Sequence, residues 1–526
     1  MNPRSFKKYL LGVLLVLLGF FLVQPAGLQT SNLFQTRPAY AGFFNDDLDV
    51  FDEVLELIAD NYVYPPDFRK LFAVAIGEMV QPYKEHGLTV ASVNSGQTLS
   101  VKGRQFSYRL TYSQKDNMEI LRGMFDFLSR ELGDKVNKRD MEENAIRGML
   151  DSLDPYSVYL DPGEFERSMR DTEGQYGGVG MVITLQDLKL TVVRVLRNSP
   201  SARAGILPND IITRVNGEEI KGMQIQELAS RLRGYPNTQV EIDVFRPSTK
   251  VTHTMKLTRE IISIETVLYK YLGDRTAYIG ISSFSKQTND QLEKALDQAR
   301  RDGAEALILD LRDNPGGLLS QSVKVASHFL QEGQLIVYTQ GRDPKDTQTY
   351  EAVFDDPWRH KPLAVLINSH SASASEIVAG SLKDSGKALI LGENSYGKGS
   401  VQTIFRISDG SGLRLTTSKY YTPSGIDITT YGIVPEIQIQ MDVSGLPEVP
   451  NPGRHKNRRA NHPLGKPIMV KESELQNFLK KKGKTVNGET DLLVDFAQMA
   501  INNPPQTNKS HALAKARELA ANIHHY

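Results

Sequence analysis

Residues 306–319 read ALILDLRDNPGGLL, and this stretch indicates the fold class of the central part of the chain. Its nearly all-apolar start has strand length, which predicts a strand buried on both faces of a sheet. The Asn314–Gly317 turn ends that strand, and a helical pattern follows. Similar apolar strands alternate with helical patterns, at 277–284, 362–369 and 388–392. Residues 262–440 are therefore predicted to form an α/β layer domain.

The flanking segments have different patterns, which predict a multidomain α+β protein. Residues 46–165 carry apolar positions at three- and four-residue spacing, as in helices, apart from an alternating, hairpin-like insertion at 84–116. Residues 170–258 combine short alternating strands with one helix and predict a small β domain. Residues 441–526 start polar, with a basic run at 453–466 typical of a solvated linker, and end in two helices.

Composition excludes several classes of function. Among the 526 residues, Lys plus Arg and Asp plus Glu each number 62, so no field of one sign attracts nucleic acid. The absence of cysteine excludes disulfides, thiolate catalysis and cysteine zinc sites. No H-E-x-x-H string occurs and the ten histidines are scattered, so neither a metal nor another cofactor is expected.

Residues 1–41 have the pattern of an export signal. Basic side chains precede Tyr9–Val23, a continuous apolar run of fifteen residues that is short for a membrane-spanning helix. Ala39–Ala41 supplies a small-x-small cleavage motif, although far from the apolar run. The chain is expected to reach the periplasm, a lumen or the outer face of a membrane, either cleaved or tethered as a membrane anchor.

A serine-rich turn lies between a predicted buried strand and a helix. Residues 368–382 read NSHSASASEIVAGSL. A serine at such a turn has the geometry of a nucleophile beside an oxyanion hole, because the first helical N–H groups converge there. The alternative is that Ser371, Ser373 and Ser375 are helix caps and small packing residues.

Two glycine-rich loops follow other predicted strands. Lys398 lies in GENSYGKGSVQT, 392–403, where burial would lower the pKa of its amine so that it could accept a serine proton. The alternative is an exposed lysine; a phosphate loop is excluded because Gly399 replaces the required Ser or Thr. Gly316 and Gly317 could place N–H donors for an oxyanion, or simply form a turn.

These three segments together resemble the C-terminal processing peptidases, or tail-specific proteases, which are serine peptidases with a Ser/Lys dyad. The resemblance rests on LDLRDNPGG, NSHSASASEIVAG, and GENSYGKGSVQT followed by LRLTTSKYYTPSG. It implies a crotonase- or ClpP-like peptidase core at 262–440.

The resemblance also implies roles for particular residues. Ser373 would be the nucleophile, Lys398, twenty-five residues later, the general base, and Gln402 the residue that orients the lysine. Glu376 occupies a position that the family uses near the dyad. The remaining implied residues are the oxyanion donors, namely the N–H of Ala374 and that of either Gly316 or Gly317.

A PDZ domain is implied at 170–258 by the same comparison. YGGVGMVI, 176–183, resembles a carboxylate-binding loop and first strand, and SPSARAGILPNDIITRVNGEEI resembles the core that follows. N–H groups of such a loop can hold a terminal carboxylate, while the strand edge adds the peptide as a further strand. The substrate-binding residues implied here are Gly178, Val179, Gly180 and Met181.

The function implied is C-terminal trimming of proteins by a serine endopeptidase, with the PDZ domain capturing the substrate's C-terminus. The position of this domain just before the catalytic domain leads to the hypothesis that it also gates the site. The partners are protein substrates; the sequence leaves membrane association and homo-oligomers open. One alternative is a Ser/His hydrolase using His370, three residues before Ser373, although no G-x-S-x-G elbow occurs. Another is a catalytically inactive PDZ scaffold, against which the complete Ser373, Lys398 and Gln402 set argues.

Overall fold

The computed structural model describes residues 47–93, 96–186, 189–220, 222–440, 467–484, 491–502 and 509–524. The predicted export segment at 1–41 and the basic run at 453–466 lie outside these ranges. None of the helices in the described ranges is long and apolar enough to cross a lipid bilayer.

The N-terminal region packs four helices around one apolar core that includes Phe51, Phe72 and Phe125. The helices are α1 (Asp49–Asn61), α2 (Phe68–Val80), α3 (Gln114–Leu132) and α4 (Lys138–Asp151). The insertion between α2 and α3 forms a three-stranded antiparallel sheet of β1 (Thr89–Val93), β2 (Gly96–Val101) and β3 (Arg104–Tyr108).

Polar side chains begin and end these helices. Ser113 and Asn137 accept hydrogen bonds from the first turns of α3 and α4, as expected of N-caps. The C-terminal carbonyls of α1 accept hydrogen bonds from Arg342 of the central domain, through Nη1 to Ala59 and Nε to Tyr62. The N-terminal region is thereby anchored to the central domain.

The β domain is a twisted antiparallel sheet closed by one helix, α7 (Ile225–Leu232). Its strand order is β11-β10-β8-β7-β6, with β9 (Glu218–Glu219) beside β8 and the short α6 (Pro200–Arg203) after β7. The five strands are β6 (Met181–Gln186), β7 (Lys189–Val195), β8 (Ile211–Val215), β10 (Gln239–Arg246) and β11 (Val251–Thr258). β6 is an edge strand, so one of its sides is unpaired.

Short elements connect the β domain to its neighbours. β4 (Val158–Leu160) pairs with a strand of the central domain, and α5 (Pro162–Glu173) leads to β5 (Gln175–Gly178). β5 pairs antiparallel with β12 (Glu260–Ser263), and Gly178 lies opposite Glu260. The β domain is thus inserted between two adjacent, paired strands.

The central domain contains a seven-stranded sheet, ordered β13-β14-β15-β18-β19-β22-β23 and parallel except for β13. Its strands are β13 (Val267–Gly273), β14 (Thr276–Ile281), β15 (Ala306–Asp310), β18 (Leu363–Ile367), β19 (Leu389–Gly392), β22 (Ile437–Gln440) and β23 (Ile468–Lys471). A second sheet, β17-β16-β21-β20, comprises β16 (Leu335–Gln340), β17 (Thr347–Glu351), β20 (Ser400–Arg406) and β21 (Gly412–Tyr421).

Helices cover both faces of the parallel sheet. Leu307 and Leu309 of β15 belong to one apolar cluster and Ile308 to the other, so this strand is buried on both sides. One face carries α8 (Thr288–Arg301), α9 (Leu319–Ser327) and α10 (Ala374–Asp384), with the short α11 (Ile428–Tyr431) nearby. The opposite face carries the C-terminal helices α12 (Glu472–Lys481), α13 (Leu492–Ile501) and α14 (Lys509–His524). The fold class is multidomain α+β.

Phe496 of α13 is completely buried in the cluster between the C-terminal helices and the sheet. We expect Phe496→Ala to lower the free energy of unfolding by about 3–5 kcal/mol, because it removes a large buried side chain and leaves a cavity. Denaturant unfolding followed by circular dichroism measures the free energy of unfolding, which should fall less in Phe496→Leu than in Phe496→Ala. Unchanged stability of the alanine variant would show that α13 does not pack on the sheet.

Candidate active site

Ser373 lies at the junction between β18 and α10 in an unusual backbone conformation. Its φ of 54° and ψ of −114° lie outside the regions that non-glycine residues normally occupy. Such a conformation costs about 1–3 kcal/mol and persists only where surrounding contacts enforce it. The side chain is nearly buried, with 8% exposure. The turn therefore holds one serine hydroxyl at the beginning of a helix.

The Glu376 carboxylate connects the serine turn to the lysine loop. Its Oε2 accepts hydrogen bonds from the N–H groups of Ser373 at 2.7 Å and Lys398 at 2.9 Å. Its Oε1 accepts from the Gly397 N–H at 2.7 Å and the Ser395 hydroxyl at 2.5 Å. Complete burial raises the pKa of this carboxyl, and the four donors oppose that rise. One side chain thus positions the backbones of both predicted dyad residues.

The glycine loop after β15 lies directly against the serine turn. A Cβ on Gly316 would be 2.8 Å from the Ser373 Cβ and 2.9 Å from the Ala374 nitrogen, so this position requires glycine. The Gly316 N–H donates to the Asn314 Oδ1 at 2.9 Å. Within the described ranges, the N–H groups of Ala374 and Gly317 donate no hydrogen bond. The Ala374 N–H, directly after the serine, and the Gly317 N–H, directly after Gly316, are therefore unused main-chain donors in the described ranges.

The Lys398 amine is partly buried and lies 5.1 Å above the centre of the Tyr156 ring. Burial lowers its pKa, and the charge of Arg414 lowers it further, whereas Glu376 and Asp154 raise it. In the part of the chain that the structure describes, Nζ makes neither a hydrogen bond nor an ion pair. The amine is thus not hydrogen-bonded to Ser373 in this conformation.

Gln402, predicted to orient the lysine, makes a different contact. Its Nε2 donates to the Ser400 hydroxyl at 2.7 Å, two residues away on the same strand. Gln402 also pairs across the sheet with Thr416 of β21. It belongs to the strand that follows the lysine loop, without a hydrogen bond to Lys398.

The surroundings of the lysine include residues to which sequence reasoning gave no role. Asp154 accepts hydrogen bonds from the Tyr156 N–H at 2.8 Å and the Thr416 hydroxyl at 3.1 Å, which fixes the turn carrying the tyrosine ring. Arg414 comes from β21. The Asp154-Pro155 pair is a turn signal in the sequence, but a cation–aromatic contact across 242 residues leaves no local pattern.

His370, the base of the alternative hydrolase mechanism, is exposed, whereas Ser373 is nearly buried. Its side chain is 69% exposed, and its Nδ1 lies 3.0 Å from the Asp313 carboxylate, which is also exposed. It makes no hydrogen bond to Ser373. This geometry does not support a Ser/His pair.

The predicted carboxylate-binding loop connects β5 to β6. Gly180 has φ of +75°, and a Cβ there would be 2.3 Å from the Ser199 Cβ. Gly178 ends β5 and the nearly buried Met181 begins β6. Among the described residues, the N–H groups of Val179 and Gly180 donate no hydrogen bond. The loop thus offers free donors at the end of the unpaired β6 edge.

Comparison with known proteins identifies the family. "Peptidase family S41" matches residues 275–439, "PDZ domain" matches 191–246, and "Activating protease CtpB N-terminal domain" matches 88–163. A carboxy-terminal-processing protease of Bartonella bacilliformis is 35% identical over 406 residues, covering 76% of this chain and 88% of the relative. This chain belongs to peptidase family S41, the carboxy-terminal-processing proteases. It is a serine-type peptidase with a PDZ domain.

Two other similar proteins match this chain with lower sequence identity or over a smaller share of its length. A probable CtpA-like serine protease of Staphylococcus aureus is 35% identical over 332 residues, covering 63% of this chain and 66% of the relative. The solved structure of a photosystem II D1 C-terminal processing protease is 27% identical, with a TM-score of 0.42, covering 75% of this chain and 93% of that one.

Replacement of the bridging carboxylate should loosen both loops. We expect Glu376→Gln to lower the free energy of unfolding by about 2–4 kcal/mol, because the amide places its own N–H donors against buried main-chain N–H groups. Hydrogen exchange should accelerate at the Gly397 and Lys398 amides.

Glu393→Gln is the matched control for this prediction. Glu393 lies in the same loop but is only partly buried and accepts one long hydrogen bond, from the Ser369 N–H at 3.4 Å. Equal losses of stability in the two variants would contradict the bridging role of Glu376.

Proposed function

We propose that this chain is an endopeptidase that trims C-terminal segments of exported proteins through a dyad of Ser373 and Lys398. The observation that carries the proposal is the buried Glu376 carboxylate, which holds the N–H groups of both residues. The name of the Bartonella relative, a carboxy-terminal-processing protease, supports the substrate class.

The chemistry begins with proton transfer between the dyad residues. A neutral Lys398 amine rotates from the Tyr156 ring toward Ser373 and takes the hydroxyl proton as Oγ attacks the scissile carbonyl. The ammonium then gives the proton to the leaving amine. Water attacks the acyl-enzyme with Lys398 again as the base, and Ser373 is regenerated. Gln402 is proposed to hold the rotated amine after leaving Ser400.

The oxyanion is stabilised by two main-chain donors. We assign them to the N–H groups of Ala374 and Gly317, since Gly316 already donates to Asn314. Each preorganised donor of this kind contributes about 3–4 kcal/mol to the stabilisation of the transition state.

The PDZ domain is proposed to capture the substrate's C-terminus. The free N–H groups of the Gly178–Met181 loop suit a terminal carboxylate, and the β6 edge suits an extended peptide. Because β5 and β12 join this domain directly to the peptidase core, we propose that capture also gates the active site.

The proposed location follows from the first 41 residues. The apolar run at Tyr9–Val23 and the motif at Ala39–Ala41 favour export, with cleavage or with retention as an anchor.

The dyad is tested by three variants assayed on an unstructured polypeptide. We expect Ser373→Ala and Lys398→Ala each to abolish cleavage, because one removes the nucleophile and the other the base. His370→Ala should cleave at the parent rate. Loss of cleavage in His370→Ala would instead favour the Ser/His mechanism, and persistence in Ser373→Ala would exclude a serine nucleophile at this position.

The pH dependence tests the lysine as the base. Lys398 accepts a proton only when neutral, so kcat/KM should rise with pH through a pKa below that of an ordinary lysine. The charge of Arg414 lowers the pKa of Lys398, so Arg414→Gln should raise that pKa and move the acid limb of kcat/KM to higher pH.

Arg301→Gln, at an exposed arginine of α8, is the control for the pH measurement and should leave the profile unchanged. An acid limb at the same pH in Arg414→Gln and the parent would contradict the assignment of that limb to Lys398.

The role of the PDZ domain is tested by deleting it from the chain between the paired strands β5 and β12. Replacing residues 179–259 with Asn-Gly should join β5 and β12 as a hairpin, because Gly178 and Glu260 are already opposite each other. We expect this variant to lose most of its preference for substrates with a free C-terminus over C-terminal amides. Cleavage as fast and as selective as that of the parent would refute both capture and gating.

A further inference from the structure

Arg414 is a partly buried arginine with almost no partner. Its Nη2 donates to the Ser168 hydroxyl of α5 at 2.8 Å, and within the described residues it forms no ion pair. Arg246 and Arg312, which are similarly buried, are paired with the carboxylates of Asp210 and Asp310. Most of the donors of the Arg414 guanidinium thus form no hydrogen bond with the described residues.

A guanidinium in this environment favours an anion. Removing a charge from water without a counterion is costly, and buried arginines are normally paired. The planar fork of donors matches a carboxylate, which can accept two parallel hydrogen bonds. The Ser168 hydroxyl is neutral and satisfies only one of these donors.

Arg414 lies on the sheet face that carries the surroundings of the lysine. Thr416, two residues along β21, shares its face, pairs with Gln402, and donates to Asp154. Asp154 in turn holds the turn whose Tyr156 ring lies below the Lys398 amine. Arg414 therefore shares a sheet face with residues that surround Lys398, and its charge acts on the Lys398 amine.

We propose that Arg414 forms an anion-binding subsite in the active-site cleft, which takes a carboxylate of the bound polypeptide. The carboxylate comes from an Asp or Glu side chain near the scissile bond or from the chain terminus. This subsite is separate from the Gly178–Met181 loop and rests on the proposed function, since that function makes the cleft a polypeptide site.

A carboxylate at Arg414 would also change the charge around Lys398. The groups acting on that amine are Asp154 and Tyr156 from the turn before β4, Glu376 from α10 and Arg414 from β21. Neutralising Arg414 favours the ammonium form. The acid limb of kcat, which reports the enzyme–substrate complex, should therefore lie at higher pH for a substrate that fills the subsite than for its neutral analogue.

The test measures binding in the Ser373→Ala background, where the peptide stays intact. Four labelled peptides combine a C-terminal acid or amide with an internal Glu or Gln, and fluorescence anisotropy gives Kd with and without Arg414→Gln. Double-mutant cycles isolate the Arg414 contribution, because the carboxylate preference of the PDZ loop is the same in both proteins.

We expect Arg414→Gln to raise the Kd of the peptides that carry the recognised carboxylate, either the C-terminal acid or the internal Glu, by about 10-fold, as for the loss of a charge-assisted hydrogen bond. The Kd of the neutral peptide should rise by less than about 2-fold. Comparing the Kd of acid with amide peptides, and of Glu with Gln peptides, shows which carboxylate Arg414 binds. Arg301→Gln should leave the Kd values of all four peptides unchanged. Arg414→Lys, which keeps the charge without the fork, should give an intermediate loss and serves as the second variant if Arg414→Gln does not fold.

Equal weakening of all four peptides, or of none, would overturn the subsite. The pH profile of kcat in the parent gives a second readout: its acid limb should differ between the acidic and neutral substrates, and this difference should vanish in Arg414→Gln. Failure of the proposed function is distinguishable, because it would appear as cleavage by Ser373→Ala, whereas failure of the subsite leaves the dyad variants inactive.

Discussion

The arrangement of the candidate active site depends on one buried carboxylate, Glu376, which has no counterion among its hydrogen-bonding partners. Glu376 accepts three main-chain N–H groups and one hydroxyl, and burying a carboxylate is costly unless such donors compensate for the lost water. The donors come from two separate loops, so the charge is satisfied only when both loops are in place. The strained backbone of Ser373 and the position of Lys398 are thus stabilised by the same interaction.

The parallel sheet brings those loops together. β15, β18 and β19 run in one direction, so their carboxyl ends meet at one edge and the glycine, serine and lysine loops become neighbours. Because helices cover both faces, the strands cannot shift without exposing apolar side chains. The C-terminal helices therefore contribute to the site by covering the sheet face opposite α10.

Opposing charges surround the lysine. Burial and Arg414 lower the pKa of its amine, while Glu376 and Asp154 raise it. The Tyr156 ring also favours the charged amine, since cations are attracted to the face of an aromatic ring. Contact with the ring thus favours the ammonium form, whereas burial favours the neutral amine that the proposed chemistry requires.

The sequence by itself determined the order of domains, the α/β character of the centre, the family resemblance and the segments that carry Ser373 and Lys398. These features depend on apolar periodicity and turn residues, which act within short windows of the chain. The tertiary structure alone decided which N–H groups remain free at Gly316 and Gly317. It also decided that Gln402 donates a hydrogen bond to Ser400 and that the charge of Arg414 acts on Lys398. Such contacts depend on strand register and on side-chain reach between distant segments, which no local pattern encodes.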